Sequence, residues 1–167
     1  MTSGQRGHNI TLILAISPQL GVVHYQFHDG GVNAEVFSAF IVTLSGKLSE
    51  RECIFVYDNA PCHNCEPETA ECHVLKKLPP WSPMLNPIEE IFSVWKGEIK
   101  GRLADHNIRQ ELLDFGQDRQ TTLAEWRKNI LLREGEKALE TVTAEKCMQM
   151  YNHSFHFLYK CLTDADL

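Results

Sequence analysis

The sequence lacks any apolar run of about 20 residues, the length that a helix needs to cross a lipid bilayer. Its opening segment, MTSGQRGHN, also lacks the apolar stretch of a secretory signal peptide. These two absences argue against a membrane-spanning protein and against a secreted one. We therefore expect an intracellular protein, nuclear or cytoplasmic, that has no membrane partner.

Basic residues are also scarce, since 16 lysines and arginines face 22 aspartates and glutamates and leave a net charge of −6. A dedicated DNA-binding domain is usually basic, so any contact with nucleic acid has to depend on local patches or on other parts of the protein. The chain has 6 cysteines at irregular spacings. Without a secretory signal, we expect them to be reduced thiols.

What the sequence does contain is a succession of apolar segments that predicts both strands and helices. A helix capped by Asn33 is expected after the second strand, and a short helix or loop at residues 64–72. The third strand, CIFVYD, shows no polar–apolar alternation, which indicates burial on both faces as in a central parallel strand. The predicted strands, of which the first two are antiparallel, cover residues 9–17, 22–29, 53–58 and 73–79.

The second half of the chain is predicted to be helical. After a proline-rich loop, a long helix runs from about Pro87 to Leu103. Two further helices are predicted in RQTTLAEWRKNILLREG and KALETVTAEKCMQMYNHSFHFLYKCL, with HNIRQELLDFGQDRQ as a polar connection before them. This order of strands and helices predicts an α/β domain with a helical C-terminal tail.

The long helix has clear start signals in the segment LNPIEE. Asn86 suits the N-cap and Pro87 the first helical position, while Glu89 stands where a side chain can reach back to the cap. At about 100° per residue, Glu89 lies at the border of the apolar stripe, whereas Glu90 points to solvent. Glu89 is therefore the better candidate for chemistry, with a purely capping role as the alternative.

Two motifs, VYDNAPCH and LPPWSPMLNPIEEIFSVWK, together resemble the DDE transposases of the mariner-like superfamily. In that family, an Asp-Asn-Ala-Pro-x-His segment ends a strand, and a Pro-Pro-aromatic-Ser-Pro-x-Leu-Asn-Pro-Ile-Glu segment opens a helix. The resemblance implies a ribonuclease H-like fold, a mixed sheet flanked by helices, over residues 7–104. Residues 105–167 would then form a helical C-terminal extension.

The resemblance also implies a reaction, in which DNA is cut and rejoined at transposon ends with two Mg²⁺ or Mn²⁺ ions. These hard cations prefer carboxylate oxygens as ligands. By its match to the family motifs, Asp58 would be the second catalytic, metal-binding acid, and Glu89 the third. Asn59, His63 and Asn86 are expected around these acids, where they would orient ligands or water.

The family's first acid lies on a central strand upstream of the segment that matches SGQRGHNITLI, so we expect that first strand and its Asp to be missing. The chain would then be a transposase fragment that binds metal weakly and does not cut DNA. Asp29 is a poor replacement, because about 14 Å, or three strand spacings, would separate it from the site. The strands that begin at Asn9 and Cys53 would each expose an unpaired edge, which invites a dimer or a strand-donating partner.

Alternatives stay open for the whole chain and for two of its segments. A domesticated, non-catalytic domain that binds DNA or protein would keep the same fold. Contacts with DNA phosphates are expected from Lys96, Lys100 and Arg102, although a solvated helix face explains these residues equally well. A zinc site is a further alternative for a cluster that holds half of a zinc-finger motif, namely Cys62, His63, Cys65, Cys72 and His73.

Overall fold

A computed structural model describes residues 9–115 and 121–163, which form a mixed α/β structure with two small sheets. Strands β1 (Ile10–Ser17) and β2 (Gly21–Asp29) make an antiparallel hairpin. Strands β3 (Cys53–Tyr57) and β4 (His73–Lys77) pair in parallel. Within the described ranges the two pairs are separate two-stranded sheets, so β1 and β3 each have one strand neighbour.

Five α-helices occur in the same ranges, with short 3₁₀ turns at Pro61–His63 and Pro83–Leu85. The predicted strands and the long helix from Pro87 are confirmed to within a few residues, and the segment 64–72 is a loop. The break between the last two helices lies at residues 140–143, not before Lys137 as the sequence pattern predicted. None of these helices is both long enough and apolar enough to cross a membrane. The helices are α1 (Ala34–Lys47), α2 (Pro87–Ala104), α3 (His106–Leu113), α4 (Leu123–Leu139) and α5 (Ala144–Thr163).

Side-chain caps explain where two of the helices begin. The Asn33 Oδ1 atom accepts a hydrogen bond from the Val36 backbone N–H at 2.9 Å, as predicted for the start of α1. The polar segment that we expected only to connect helices contains α3 instead. Asp105 caps α3 by accepting from the Asn107 N–H at 2.9 Å, a local signal that outweighs the low apolar content of the segment.

The hairpin β1–β2 lies between two apolar clusters because neighbouring residues of a strand point to opposite faces. Ile13 packs with α1 and β3 in the first cluster, together with Phe37 and Phe55. Leu14 belongs to the second cluster, where Ile91 of α2 is fully buried. The second cluster includes residues of α4 and α5, so the C-terminal helices pack directly on the hairpin.

The prediction that β3 is buried on both faces was wrong. Phe55 is buried against α1, but Ile54 and Val56 on the opposite face are 65% and 55% exposed. The neighbouring Val74 of β4 is exposed on the same sheet. Helices α4 and α5 pack on the hairpin and not on this face, so the parallel sheet keeps an uncovered apolar face within the described residues.

Candidate active site

Asp58 follows the last residue of β3, and one of its carboxylate oxygens is held by two partners. The Oδ1 atom accepts a hydrogen bond from the Ala60 backbone N–H at 2.9 Å, which is a local Asx turn. The same atom lies 2.6 Å from Nδ1 of His63. The Asp58 side chain is 43% exposed, so it is both oriented by its neighbours and accessible to solvent. A role for Asp58 as a local turn residue is therefore compatible with a role as a metal ligand.

His63 is fixed in place by the apolar residues around it. It ends the 3₁₀ turn Pro61–His63, where its backbone N–H donates to the Ala60 carbonyl at 2.8 Å. Its ring lies 4.0 Å from the ring centre of Phe37 on α1, and Tyr57 meets it edge to face at 5.7 Å. Only 19% of the His63 side chain is exposed. The first apolar cluster therefore positions the histidine, and the histidine positions Asp58.

Asn59 links the ends of the two parallel strands. Its side-chain Nδ2 donates a hydrogen bond to the Leu78 carbonyl, just after β4. The Leu78 N–H in turn donates to the Tyr57 carbonyl at 2.8 Å, which continues the pairing of β3 and β4. Asn59 therefore holds the loop after Asp58 against the start of the segment that leads to α2.

Glu89 lies in the first turn of α2, and its side chain is exposed. The capping alternative does not hold, because the Asn86 backbone N–H that a capping Glu89 would engage donates instead to the Pro83 carbonyl at 3.0 Å. The only cap contact is between backbones, where the Glu89 N–H donates to the Asn86 carbonyl at 3.2 Å. Among the described residues, no hydrogen bond or ion pair engages the Glu89 carboxylate. That carboxylate is available to an external ligand.

Glu90 differs from the expectation that it points to solvent. Its Oε1 atom lies 2.6 Å from Nδ1 of His153, and its side chain is half-buried. The reason is α5, which packs beside α2 and covers the face that helical phase alone assigned to solvent. Glu90 therefore joins two helices, and Glu89 is left as the accessible acid of the pair.

Asp58 and Glu89 are not joined into a ready metal cage. No group of three or more histidine, cysteine, aspartate or glutamate side chains that could hold a metal ion occurs in residues 9–115 and 121–163. Asp29 does not supply a further ligand, since its carboxylate pairs with Lys128 of α4. The described acids provide the right donor type for a hard cation, but only as separate carboxylates.

The cysteine and histidine cluster is divided between two places. His63 faces Asp58, as described above. His73 is buried at the other end of the sheet, with Nε2 3.2 Å from the Ser45 carbonyl. Cys72 lies beside it, with Sγ 3.5 Å from the Arg51 carbonyl. The zinc alternative requires these side chains to converge, and the described part of the chain holds no such ligand group.

The three basic residues of α2 lie in different environments. Lys96 and Lys100 are exposed. The Arg102 guanidinium turns inward, with Nε 3.1 Å from Glu98 Oε1 and Nη1 3.8 Å from Glu134 Oε2. Arg102 is therefore committed to carboxylates within the protein, whereas the two lysines are accessible to a phosphate.

Trp81 is a notable residue of the proline-rich loop that sequence patterns did not single out. Its φ angle is 61°, a left-handed conformation that is costly for a large side chain, and it is 96% exposed. It stands between the Asn59 contact at Leu78 and the start of α2. The dipeptide Pro80–Trp81 marks a turn, but neither the sign of φ nor the exposure follows from residue type.

Comparison with known families gives one match. A family model described as DDE superfamily endonuclease matches residues 1–110 of the 167-residue chain, a range that contains Asp58, Asn59, His63 and Glu89. No curated protein matches the chain. No solved structure matches it either.

Proposed function

The chain belongs to the DDE superfamily endonucleases, and we propose that it is the catalytic domain of a mariner-like transposase with Asp58 and Glu89 as two of its metal-binding acids. Its substrate is DNA at transposon ends. On their own, these two acids bind Mg²⁺ or Mn²⁺ weakly and do not support DNA cleavage. The observation that carries the proposal is the pair of carboxylates at motif positions, one oriented by His63 and the other unengaged.

The arrangement of elements supports a ribonuclease H-like fold. An antiparallel hairpin, a helix, a parallel strand pair and a further helix follow each other, and the two family motifs fall at the end of β3 and the start of α2 as expected. Asp58 comes at the carboxyl end of a parallel strand, and ligands of open α/β sheets bind at such ends. We propose that β1 and β3 flank the central strand position of this fold.

The available donors fit a loosely held ion. Mg²⁺ commonly binds through one or two carboxylates, with waters and substrate phosphates as its other ligands. Asp58 would hold the ion through Oδ2, because Ala60 and His63 both use Oδ1. When bound, a divalent ion stabilises the negative charge that develops on phosphate oxygens. The part played by this chain is to orient Asp58 through His63 and to present Glu89 at a helix start.

The metal site is tested by Mn²⁺ titration, with backbone amide NMR signals as the measurement. Mn²⁺ at millimolar concentration should broaden the signals of Ala60 and Glu89 before most others. Asp58→Asn should abolish the broadening at Ala60, because the amide keeps the turn but loses the charge. Asp114→Asn, at an exposed aspartate after α3, is the matched control and should change nothing. Uniform broadening in both variants would refute the site.

Cleavage is tested by nicking of supercoiled plasmid in Mg²⁺ or Mn²⁺. We expect no metal-dependent nicking by the purified chain, since two carboxylates do not complete the site. Robust nicking that disappears in Asp58→Ala would overturn the inactive interpretation and confirm the acid. Nicking that persists in Asp58→Ala would point to a contaminating nuclease.

A second candidate function is a non-catalytic domain that binds DNA or a protein. The uncovered apolar face of the parallel sheet favours it, because exposed apolar patches often mark binding surfaces. A gel-shift assay separates the two functions. DNA binding that is unchanged by chelator and by Glu89→Gln favours the non-catalytic domain, whereas binding that requires Mn²⁺ favours the transposase.

A further inference from the structure

Helix α5 carries a second apolar stripe that the rest of the described protein does not cover. Six large side chains define this outer stripe, and they are between 36% and 70% exposed. The rings of two of them stack at 6.2 Å, so part of the stripe is already ordered. The members are Met148, Tyr151, Phe155, Leu158, Tyr159 and Leu162.

The outer stripe is distinct from the face that packs α5 on the core. Cys147 and Ser154 are buried, and Met150 packs on the second apolar cluster. At about 100° per residue, these positions lie roughly a quarter to two fifths of a turn from the centre of the outer stripe. A helix that needs only one apolar face to hold the fold therefore presents a second one to solvent.

Five of these six residues are placed symmetrically about Phe155. Met148 and Leu162 are each seven residues from Phe155, and Tyr151 and Tyr159 are each four residues from it. In an interface between identical copies related by a two-fold axis, residue i contacts j while j contacts i. With two antiparallel copies of α5 centred on Phe155, Met148 meets Leu162 and the tyrosines meet each other. Leu158 lies towards the edge of the contact, opposite Asn152.

The charges along the outer stripe and the apolar area that it can bury are both consistent with a second copy of the chain binding there. Between Met148 and Leu162 the only lysine, arginine or acid is Lys160, which helical phase places away from the stripe. Two copies with a net charge of −6 each can therefore approach at this face without facing acids. Large side chains that are about half exposed offer roughly 100 Å² each, so two copies would bury about 1,000 Å² or slightly more, the minimum for a specific interface.

We propose that the outer stripe of α5 is a self-association surface, at which two copies of the chain pair antiparallel about Phe155. The interface uses residues outside the range matched by the family model, which ends at residue 110. It is independent of the metal site, because neither Asp58 nor Glu89 belongs to α5.

Sedimentation velocity over about 5 to 200 µM protein tests the pairing. The wild type should shift from 19.1 kDa towards twice that mass as concentration rises. Phe155→Lys should weaken association at least tenfold, because it places two like charges at the axis. Gln149→Lys adds the same charge at an exposed position off the stripe and should leave association unchanged.

Leu162→Lys is the second variant, since a change in the last turn of α5 leaves the folded core intact. It should also weaken association, with the far-ultraviolet circular dichroism spectrum unchanged. A wild type that stays at 19.1 kDa throughout would overturn the proposal. So would equal effects of Phe155→Lys and Gln149→Lys, or a monomer that binds phosphatidylcholine vesicles through the stripe.

Discussion

Replacement of Glu134 by glutamine should destabilise the protein by about 2 kcal/mol at neutral pH. The Glu134 side chain on α4 is only 3% exposed, and Oε1 accepts hydrogen bonds from Arg133 Nε at 2.9 Å and Lys137 Nζ at 3.1 Å. A hydrogen bond to a charged group contributes about 1.5–3 kcal/mol. The expected loss is smaller than the sum of the two hydrogen-bond contributions, because Arg133 and Lys137 are partly exposed and regain contacts with water when the carboxylate is lost.

The loss of stability caused by Glu134→Gln should decrease as the pH is lowered. Burial raises the pKa of Glu134, but hydrogen bonds from Arg133 and Lys137 outweigh it and hold the pKa below the ordinary value of 4.5. A lowered pKa means that the charged form stabilises the fold above pH 4.5 and that this contribution is lost as the pH falls through the folded-state pKa. The difference between wild type and Glu134→Gln should therefore be largest near neutral pH and vanish in strong acid.

Urea unfolding, followed by circular dichroism at pH 7, 5 and 3, measures the free energy of unfolding of both proteins. Glu136→Gln is the matched control, because Glu136 is exposed on the same helix. We expect it to change the free energy by less than about 0.5 kcal/mol. If Glu134→Gln costs no more than Glu136→Gln at pH 7, or if its cost is the same at pH 3, the ion cluster does not stabilise the fold as argued.

Two further predictions concern Trp81 and His24. Trp81→Gly should stabilise the protein or leave it unchanged, up to about 1 kcal/mol, because glycine adopts a φ of 61° without strain and the exposed indole has no packing to lose. Thermal unfolding measures this, and a fall in the midpoint would contradict it. Burial and the nearby Lys47, 2.9 Å from Nδ1, lower the pKa of His24 below 6.5. Lys47→Met should raise that pKa while leaving it below 6.5, and an NMR titration that shows no rise would refute the role of the lysine.

Much of the fold could be predicted from the sequence because its determinants are local. The caps at Asn33 and Asn86 and the apolar periodicity place the starts of α1 and α2 correctly. Two failures were local, namely the missed helix α3 with its cap at Asp105 and the position of the break between α4 and α5. The other failures depended on partners distant in the chain. Five apolar residues in β3 cannot indicate whether one or two layers cover the strand, and Ile54 proved exposed. Helical phase placed Glu90 in solvent because it contains no information about His153 on α5.

In the candidate site too, contacts between residues close in sequence could be predicted, whereas contacts between distant residues could not. Asp58 and His63 are five residues apart, so a turn brings them together, and the motif was enough to predict that they are neighbours. Their relation to Glu89 depends on how α2 packs, which local sequence does not determine. The position of Glu89 as a metal ligand therefore stays a prediction. The start of α2 had left a capping role open as the alternative for Glu89, and its carboxylate is unengaged in the structure.

The division of the core into two apolar clusters has a consequence for motion. Asp58 follows a strand that packs in the first cluster, whereas Glu89 belongs to a helix anchored by Ile91 in the second. Cooperative units of a protein open locally with different free energies. The parallel sheet, with one face in solvent, has less apolar contact to lose than α2, so β3 and β4 should exchange their amide hydrogens sooner. Asp58 and Glu89 would then lie on units of unequal stability, so we expect the distance between their carboxylates to vary in the absence of metal. An ion bound by both acids should restrict that variation.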